Sequence, residues 1–134
     1  MNQTTKVLIT GAGSLAKDIA DLVKDLPGYE VVGFVIDQPP YERGSKLLGK
    51  PIFWIDEVAE FERSYKIICG LARMKKSDLI KKVKSYNFDF VQFVHPSSRL
   101  SLSSKLGEGV VINSGVQIAV NSVLGNFVYV NRGA

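Results

Sequence analysis

The stretch RLSLSSKLGEGVVINSGVQIAVNSVLGNFVYVNRGA, residues 99–134, decides the fold of this chain. An aliphatic residue returns at every sixth position: Leu100, Leu106, Ile112, Ile118, Leu124 and Val130. A helix repeats near 3.6 residues and a half-buried strand repeats at 2, so neither produces a fixed period of six. A fixed short period is typical of a solenoid, and here it predicts a parallel β-helix built from hexapeptides.

Two further positions of each hexapeptide are restricted. The fourth residue after each aliphatic one is small or β-branched: Ser104, Val110, Val116, Ser122, Val128 and Ala134. The residue directly after it is compact or turn-tolerant: Ser101, Gly107, Asn113, Ala119, Gly125 and Asn131. We expect three hexapeptides to close one triangular coil, with the aliphatic side chains stacked inside and positive φ at the glycine and asparagine corners. Unrelated strands joined by glycine turns are the alternative, which the unbroken repetition disfavours.

The six hexapeptides make only two coils. A stack of repeats usually needs three or more units and a terminal cap. The repeat breaks off inside a hexapeptide at Ala134. We therefore expect the chain to be the front part of a longer protein.

Composition limits the remaining possibilities. The 134 residues are 46% hydrophobic and 22% charged, which is typical of a globular domain with a core. The net charge of +4 is mild, and the lysines concentrate at 75–84 on a predicted helix without interleaved aromatic residues, so nucleic-acid binding is not expected. A single cysteine, Cys69, argues against a disulfide framework or a cysteine metal site. No apolar run approaches the ~20 residues of a membrane span, and the N-terminus is not a signal peptide, so we expect a cytoplasmic protein.

The residues before the repeats carry the alternating pattern of an α/β domain. Short apolar runs predict buried strands at 6–10, 29–36, 52–54, 65–69 and 88–94. Apolar residues at helical spacing predict helices at 15–26, 56–64 and 77–86. Asp56 is the expected N-cap of the second helix, and residues 38–51 read as a polar loop. The sequence therefore predicts a small Rossmann-like parallel sheet in residues 1–94, followed by the start of a β-helix in residues 95–134.

The turn GAGSLA, residues 11–16, lies between the first strand and the first helix. Gly11 allows a tight exit from the strand, Gly13 lets backbone N–H groups approach a phosphate, and the helix N-terminus adds partial positive charge. Asp37 follows the second strand, where a carboxylate can accept hydrogen bonds from a ribose or a base. The pattern alone is weak, and a glycine turn that serves only packing is the alternative. The domain supplies at most one mononucleotide half, which favours a nucleotide or nucleotide-linked molecule over a dinucleotide and disfavours an oxidoreductase fragment.

These motifs occur together in one family. The order VLITGAGSLAKDIADLV, FVID, ICG, FVHPSSRL and hexapeptide repeats resembles the bacterial sugar O-/N-acetyltransferases that modify sialic acid or UDP-4-amino-sugars, including the bacillosamine and perosamine N-acetyltransferases. The resemblance implies a left-handed β-helix that binds acetyl-CoA and an N-terminal domain that binds a UDP-sugar. It also implies a homotrimer with active sites between subunits.

The resemblance assigns substrate-binding residues one by one. The positions that match the family's motif are Gly11, Ala12, Gly13, Ser14, Lys17, Asp37 and Gly70. The glycine turn would receive the phosphate region, Asp37 would face the uridine, and Gly70 would line the same pocket. The chain departs from the family at Ser14-Leu15, where Gly-His is common, and at 71–77, which lacks the usual polar turn.

No catalytic residue can be assigned from the sequence. The family's general base is a histidine that follows a turn resembling VNRGA, and the only histidine here is His95, in the His-Pro step before the repeats. His95 is expected to be structural, so residues 1–134 alone are expected not to transfer acetyl groups. The alternative to a transferase is a non-enzymatic nucleotide- or CoA-binding module that uses the repeats for assembly.

Overall fold

The computed structural model describes residues 4–72 and 76–134. The N-terminal part contains five strands: β1 (Thr5–Thr10), β2 (Tyr29–Ile36), β3 (Lys46–Leu47), β4 (Lys50–Trp54) and β5 (Lys66–Cys69). Its helices are α1 (Ser14–Val23), α2 (Ser77–Ser85) and a 3₁₀ helix (Ile55–Glu60). The β-helix contains seven two-residue strands: β6 (Phe93–Val94), β7 (Arg99–Leu100), β8 (Lys105–Leu106), β9 (Val111–Ile112), β10 (Gln117–Ile118), β11 (Val123–Leu124) and β12 (Tyr129–Val130). The predicted fold class, a Rossmann-like parallel sheet followed by β-helix coils, is confirmed.

The five N-terminal strands form one sheet in the order β3-β4-β2-β1-β5. The pairs β1–β2, β1–β5 and β2–β4 are parallel, as expected for apolar strands joined by crossovers. Helix α1 covers one face of this sheet through Ala16, Ile19 and Val23, which are buried. The 3₁₀ helix and α2 contribute Ile55, Val58, Leu79, Ile80 and Val83 to a separate core cluster that also holds Leu8 and Ile67. The sheet therefore has two covered faces, and its strand ends are free for a site.

The predicted helix at 56–64 is wrong in type and extent. The structure has a 3₁₀ helix at Ile55–Glu60, and Asp56 lies inside its first turn rather than at the N-cap. The N-terminus is closed instead by Glu57, whose carboxylate accepts a hydrogen bond of 2.7 Å from the backbone N–H of Trp54. Phe61 follows the helix and packs edge-on against Phe53, with ring centroids 4.7 Å apart. Aromatic packing at this position thus ends the helix earlier than the sequence pattern predicted.

The region 38–51, predicted as a loop, contains a short hairpin. Strands β3 and β4 pair antiparallel, with Lys46 opposite Pro51. The two turn residues Leu48 and Gly49 have φ of 51° and 77°, which is the geometry of the hairpin turns that match strand twist. The turn was missed because leucine rarely occupies a positive-φ position.

The predicted strand at 88–94 is divided between the two parts of the chain. Phe90 forms a bridge with Ile67 in the N-terminal sheet. Phe93–Val94 pairs with Val111–Ile112 of the β-helix. The β-helix pairing thus begins before the His-Pro step, and the domain division after residue 94 stays a prediction.

The β-helix coils have the predicted 18-residue length. Gln117 pairs with Arg99, Val123 with Lys105, and Tyr129 with Val111, each in parallel register. The hexapeptide aliphatic residues form one core: Ile112 and Ile118 are buried, and Leu100, Leu106, Leu124 and Val130 pack against them. Val110 and Val116 are also fully buried in this core. Three hexapeptides therefore close one coil, and the aliphatic residues stack inside it as expected.

The corner geometry differs from the prediction. Positive φ occurs three residues after the aliphatic position, not one: Gly109, Gly115, Asn121, Phe127 and Gly133. The compact residue directly after each aliphatic one, predicted to have positive φ, does not adopt the left-handed conformation. At Phe127, with φ of 60°, a bulky residue adopts a conformation that glycine and asparagine normally occupy.

The described residues contain neither a candidate membrane helix nor a candidate metal-ligating cluster. No helix in 4–72 or 76–134 is long and apolar enough to cross a membrane. Within the same residues, no three acidic, histidine or cysteine side chains come together in a way that could hold a metal ion.

Candidate functional site

Three strand ends meet at one edge of the sheet. In β1, Thr10 pairs with Val35 of β2 on one side and with Cys69 of β5 on the other. Because these strands are parallel and end level with one another, the residues that follow them lie side by side. In open α/β sheets ligands bind outside these carboxyl ends, where the crossovers leave in opposite directions. Here β1 is such a point, since β2 lies on one side of it and β5 on the other.

The glycine turn after β1 is fixed by the strands on both sides. The Gly11 N–H donates a hydrogen bond of 2.7 Å to the Val35 carbonyl, and Gly11 has φ of 95°. A Cβ at Gly11 would lie 2.8 Å from Leu71 Cδ2 and 2.9 Å from the Gly70 carbonyl oxygen. Only glycine fits there without moving the segment Gly70-Leu71 that follows β5.

Gly13 is different, because its surroundings are open. It has an ordinary φ of −92° and precedes α1, and no atom lies within 4 Å of a Cβ placed on it. Gly13 is the N-cap of α1, and the first N–H groups of a helix have no partner inside the helix. A helix N-terminus of this kind attracts phosphate.

A cavity of about 400 Å³ lies over this turn. It is lined by Gly11, Ala12, Gly13, Ile36, Asp37, Gln38, Pro40 and Leu71. The structure therefore brings four of the predicted site residues, Gly11, Ala12, Gly13 and Asp37, into one concave surface. Asp37 is half-buried and directly follows β2. The cavity lining thus includes both the glycine turn that leads into α1 and the acidic residue after β2.

The other three predicted residues lie outside this lining. Ser14 is exposed as the first residue of α1. Lys17 is exposed and lines a separate cavity of about 650 Å³ between α1 and β2. Gly70 is buried below the turn, where a Cβ would lie 2.5 Å from the Thr10 carbonyl oxygen, and its N–H donates to Thr10 Oγ1 at 3.1 Å. Close packing of β5 against β1 is therefore a sufficient reason for glycine at position 70.

Leu71 lines the cavity over the glycine turn, and it is not among the site residues predicted from the sequence. In the sequence, Leu71 stands out only as part of a departure from the family's polar turn. In the structure the half-buried Leu71 packs against the core cluster of α2 and against the glycine turn. The signal available in the sequence was its place directly after Gly70 at a strand end.

A second group of aromatic residues lies beside the loop that follows Asp37. The rings of Tyr41 and Trp54 are 5.5 Å apart and tilted, and the Tyr41 hydroxyl donates to Glu57 Oε2 at 3.1 Å. Desolvation, followed by the hydrogen bond to Glu57, raises the pKa of Tyr41 above its usual value. The phenol therefore stays protonated and acts as a donor to the same carboxylate that caps the 3₁₀ helix.

His95 does not reach the glycine turn. Its Nε2 lies 2.7 Å from Asp25 Oδ2, and its Nδ1 accepts a hydrogen bond of 3.1 Å from the Ser97 N–H. Both ring nitrogens are thus occupied at the junction between α1 and the first coil, which supports the expected structural role. As the only histidine of the sequence, it leaves residues 1–134 without an uncommitted imidazole.

The fold and the site together define a hexapeptide-repeat protein with a Rossmann-like N-terminal domain. Residues 6–90 match the sequence model of the PglD N-terminal domain family, and the chain belongs to this family. The family resemblance of the sequence is therefore confirmed. No significantly similar sequence is found among curated proteins.

Two acetyltransferase structures are among those that match nearly the whole chain. The acetyltransferase domain of PglB from Neisseria gonorrhoeae, in complex with acetyl coenzyme A, has a TM-score of 0.80 and 22% identity, over 97% of this chain and 63% of that one. Perosamine N-acetyltransferase from Caulobacter crescentus, as a histidine variant in complex with CoA and GDP-perosamine, has a TM-score of 0.79 and 25% identity, over 96% and 60%. The chain therefore spans about three-fifths of the length of these structures. A Rex-family repressor is matched less well, with a TM-score of 0.56 and 15% identity over 96% and 54%.

Proposed function

We propose that this chain is the nucleotide-sugar-binding part, with the first β-helix coils, of an acetyl-CoA-dependent sugar acetyltransferase. Its substrate is a nucleotide-linked amino sugar of UDP type or a sialic acid. The supporting observation is the cavity over the glycine turn, whose lining includes Gly13, the N-cap of α1, and Asp37. The hexapeptide coils follow this domain along the chain. Similarity to a perosamine N-acetyltransferase bound to CoA and GDP-perosamine supports the same assignment.

Each group of residues that lines the cavity would have its own role in binding. The free N–H groups of the first turn of α1 and the backbone at Gly13 would hold the diphosphate, because a helix N-terminus stabilises negative charge. Asp37 would accept hydrogen bonds from the ribose or base. Ser14, at the exposed start of α1, would approach the sugar-phosphate from solvent. Lys17 lines the separate cavity on the β2 side of α1, so its role in substrate binding stays a prediction. Gly70 would contribute by keeping β5 close enough for Leu71 to form the wall.

The resemblance implies that acetyl transfer uses a histidine as general base, and the only histidine of the sequence is His95. His95 has both ring nitrogens engaged, with Asp25 and with Ser97. We therefore propose that residues 1–134 bind nucleotide sugar without transferring acetyl groups. Acetyl-CoA would be the cofactor of the longer protein, bound at the β-helix, and such an enzyme would work in the cytoplasm.

We also propose that the acetyltransferase is a homotrimer assembled through its β-helices. Three exposed apolar side chains, Leu102, Val120 and Val123, lie on these coils. Leu102 and Val120 are one coil apart, so they stack on the same corner of the prism, in the register set by Gln117 opposite Arg99. The segments 101–104 and 119–123 carry no charged residue. Since each chain carries a net charge of +4, copies meet with least repulsion at such a neutral, apolar corner.

Calorimetry on the folded chain tests the proposed function. UDP-linked and GDP-linked 4-amino-sugars are titrated separately, with free UDP, GDP and NAD as comparisons. We expect binding of a nucleotide sugar and no binding of NAD. Absence of heat for every nucleotide sugar at millimolar concentration would exclude the proposal. Binding of free CoA without any nucleotide sugar would favour the non-enzymatic CoA-binding module.

A further inference from the structure

Lys76 connects the wall of the glycine-turn cavity to the second coil of the β-helix. It immediately precedes α2, and its side chain is half-buried. Its Nζ donates a hydrogen bond of 2.7 Å to the Phe127 carbonyl and a longer one of 3.4 Å to the Leu71 carbonyl. A single ammonium group therefore lies between a backbone carbonyl of the β-helix and one of the cavity wall.

The β-helix end of this connection is held by several contacts. Phe127 is in the left-handed conformation, and its N–H donates to the Glu108 carbonyl at 2.7 Å. Its ring packs edge-on against Phe90, with centroids 5.1 Å apart. A non-glycine residue keeps such a conformation only where its surroundings fix it. The Phe127 carbonyl is therefore a fixed point for the lysine.

The cavity end is a packed contact. Leu71 lines the cavity, and its Cδ2 occupies the space that a side chain on Gly11 would need. Leu71 and Phe127 pack against the same core cluster, which includes Phe90. If the Leu71 backbone moves, its side chain leaves the glycine turn, and the turn loses its neighbour on the β5 side.

We propose that Lys76 is a positioning residue for the nucleotide-sugar site. By holding the Leu71 carbonyl near the Phe127 carbonyl, it keeps the Leu71 side chain against Gly11 and so keeps the phosphate-binding turn in shape. The second coil of the β-helix thereby supports the cavity of the N-terminal domain. This inference rests on the proposed function for its ligand, but the geometry that it describes exists without ligand.

Hydrogen exchange in the absence of ligand tests the geometry. The Gly11 N–H donates to the Val35 carbonyl and the Gly70 N–H to Thr10 Oγ1, so both amides are protected when the turn is in place. In Lys76→Met we expect these two amides to exchange roughly tenfold faster, the factor that about 1.4 kcal/mol of lost local stability produces. Lys76→Arg keeps a donor and should restore protection. Lys81→Met, on the exposed side of α2, is the matched control and should exchange like the parent chain.

Calorimetry with the same variants tests the consequence for the ligand. Lys76→Met should raise the Kd of the nucleotide sugar roughly tenfold, whereas Lys76→Arg and Lys81→Met should leave it close to that of the parent chain. Unchanged exchange at Gly11 and Gly70 in Lys76→Met would overturn the inference, and so would an equal acceleration at all protected amides of the chain. If the parent chain binds no nucleotide sugar, the proposed function fails, while the exchange result still decides the role of Lys76.

Discussion

The Nε2 atom of His95 lies 2.7 Å from Oδ2 of Asp25, which joins the first coil of the β-helix to the turn after α1. Because Nδ1 accepts a hydrogen bond from the Ser97 N–H, the ring hydrogen is on Nε2 and is donated to the carboxylate. The Ser97 hydroxyl in turn accepts a hydrogen bond from the Gly115 N–H, one coil further on. This network connects α1, the His-Pro step and the second coil through one buried imidazole.

Removal of that imidazole should destabilise the chain. His95→Ala leaves the Ser97 N–H and the Asp25 carboxylate without the imidazole as partner, so we expect a loss of about 1–3 kcal/mol in the free energy of unfolding. Asp25→Ala should cost less, because the Asp25 side chain is 58% exposed and water replaces the contact. Urea unfolding of both variants and of the double variant measures the coupling. A His95→Ala chain as stable as the parent would contradict the proposed role.

The two glycines Gly13 and Gly70 should respond in opposite ways to a side chain. Gly13→Val fills open space at an ordinary φ, so the chain should fold with its normal stability but lose nucleotide-sugar binding, because the side chain blocks the approach to the N-terminus of α1. Gly70→Ala forces a Cβ against the Thr10 carbonyl and should cost about 1–3 kcal/mol. Thermal unfolding and calorimetry separate the two effects. If Gly13→Val binds nucleotide sugar as well as the parent chain does, the ligand does not bind at the glycine turn.

The sequence predicted the features that depend on local periodicity. Strand β2 has the predicted bounds, α2 ends within one residue of its prediction, and the period of six correctly predicted both the coil length and the buried residues Ile112 and Ile118. The glycine turn was also predicted, because its signal lies within six consecutive residues that separate a strand from a helix.

Features that depend on distant contacts could not be predicted. The partner of His95 is 70 residues away in sequence. Phe127 adopts a glycine-like φ because its ring packs on Phe90, and no local pattern encodes that contact. The family resemblance assigns Lys17 as the basic residue just after the glycine turn, and the structure places it in the cavity on the β2 side of α1, so its role in binding stays a prediction.

The ion pair between Asp56 and Lys82 should make stability depend on pH. Their atoms are 2.6 Å apart, and Lys82 lowers the pKa of Asp56 below its ordinary 3.8. A lowered folded-state pKa means that the pair stabilises the chain above pH 3.8 and that this contribution is lost as the pH falls through the folded-state pKa. The parent chain should therefore have a higher urea midpoint than Asp56→Asn at pH 7, and the gap should narrow below pH 3.8.

The matched control for that experiment is Asp21→Asn. Asp21 lies 3.8 Å from Lys24 in a pair whose side chains are both 79% exposed, so its removal should change the midpoint little at either pH. If the difference in urea midpoint between the parent chain and Asp56→Asn stays constant from pH 7 to acid pH, the ion pair makes no pH-dependent contribution to stability.

The corner glycines Gly109 and Gly115 should differ in their tolerance of alanine. Both have positive φ, near 67° and 68°, so each substitution costs about 1 kcal/mol of backbone strain. At Gly109 the new Cβ also collides with the Phe127 ring, whereas at Gly115 it meets only ordinary contacts, the nearest atom being 3.8 Å away. Gly109→Ala should therefore cost about 1–3 kcal/mol more, measured by urea unfolding. Adding Phe127→Asn should recover part of this difference, since asparagine tolerates the left-handed conformation; no recovery would exclude the ring as the cause.

A charge on the exposed apolar corner should weaken self-association. Val120 is 71% exposed and stacks one coil above Leu102, so Val120→Lys places a cation on the neutral surface through which we propose that copies meet. Sedimentation velocity should show a shift from trimer toward monomer, because each trimer would bring three added charges together in an apolar contact. Leu48→Lys makes the same change at a 60% exposed leucine in the β3–β4 hairpin turn and should leave the trimer intact. If Val120→Lys remains a trimer, the interface lies on another face of the β-helix. A monomeric parent chain would contradict assembly through these coils.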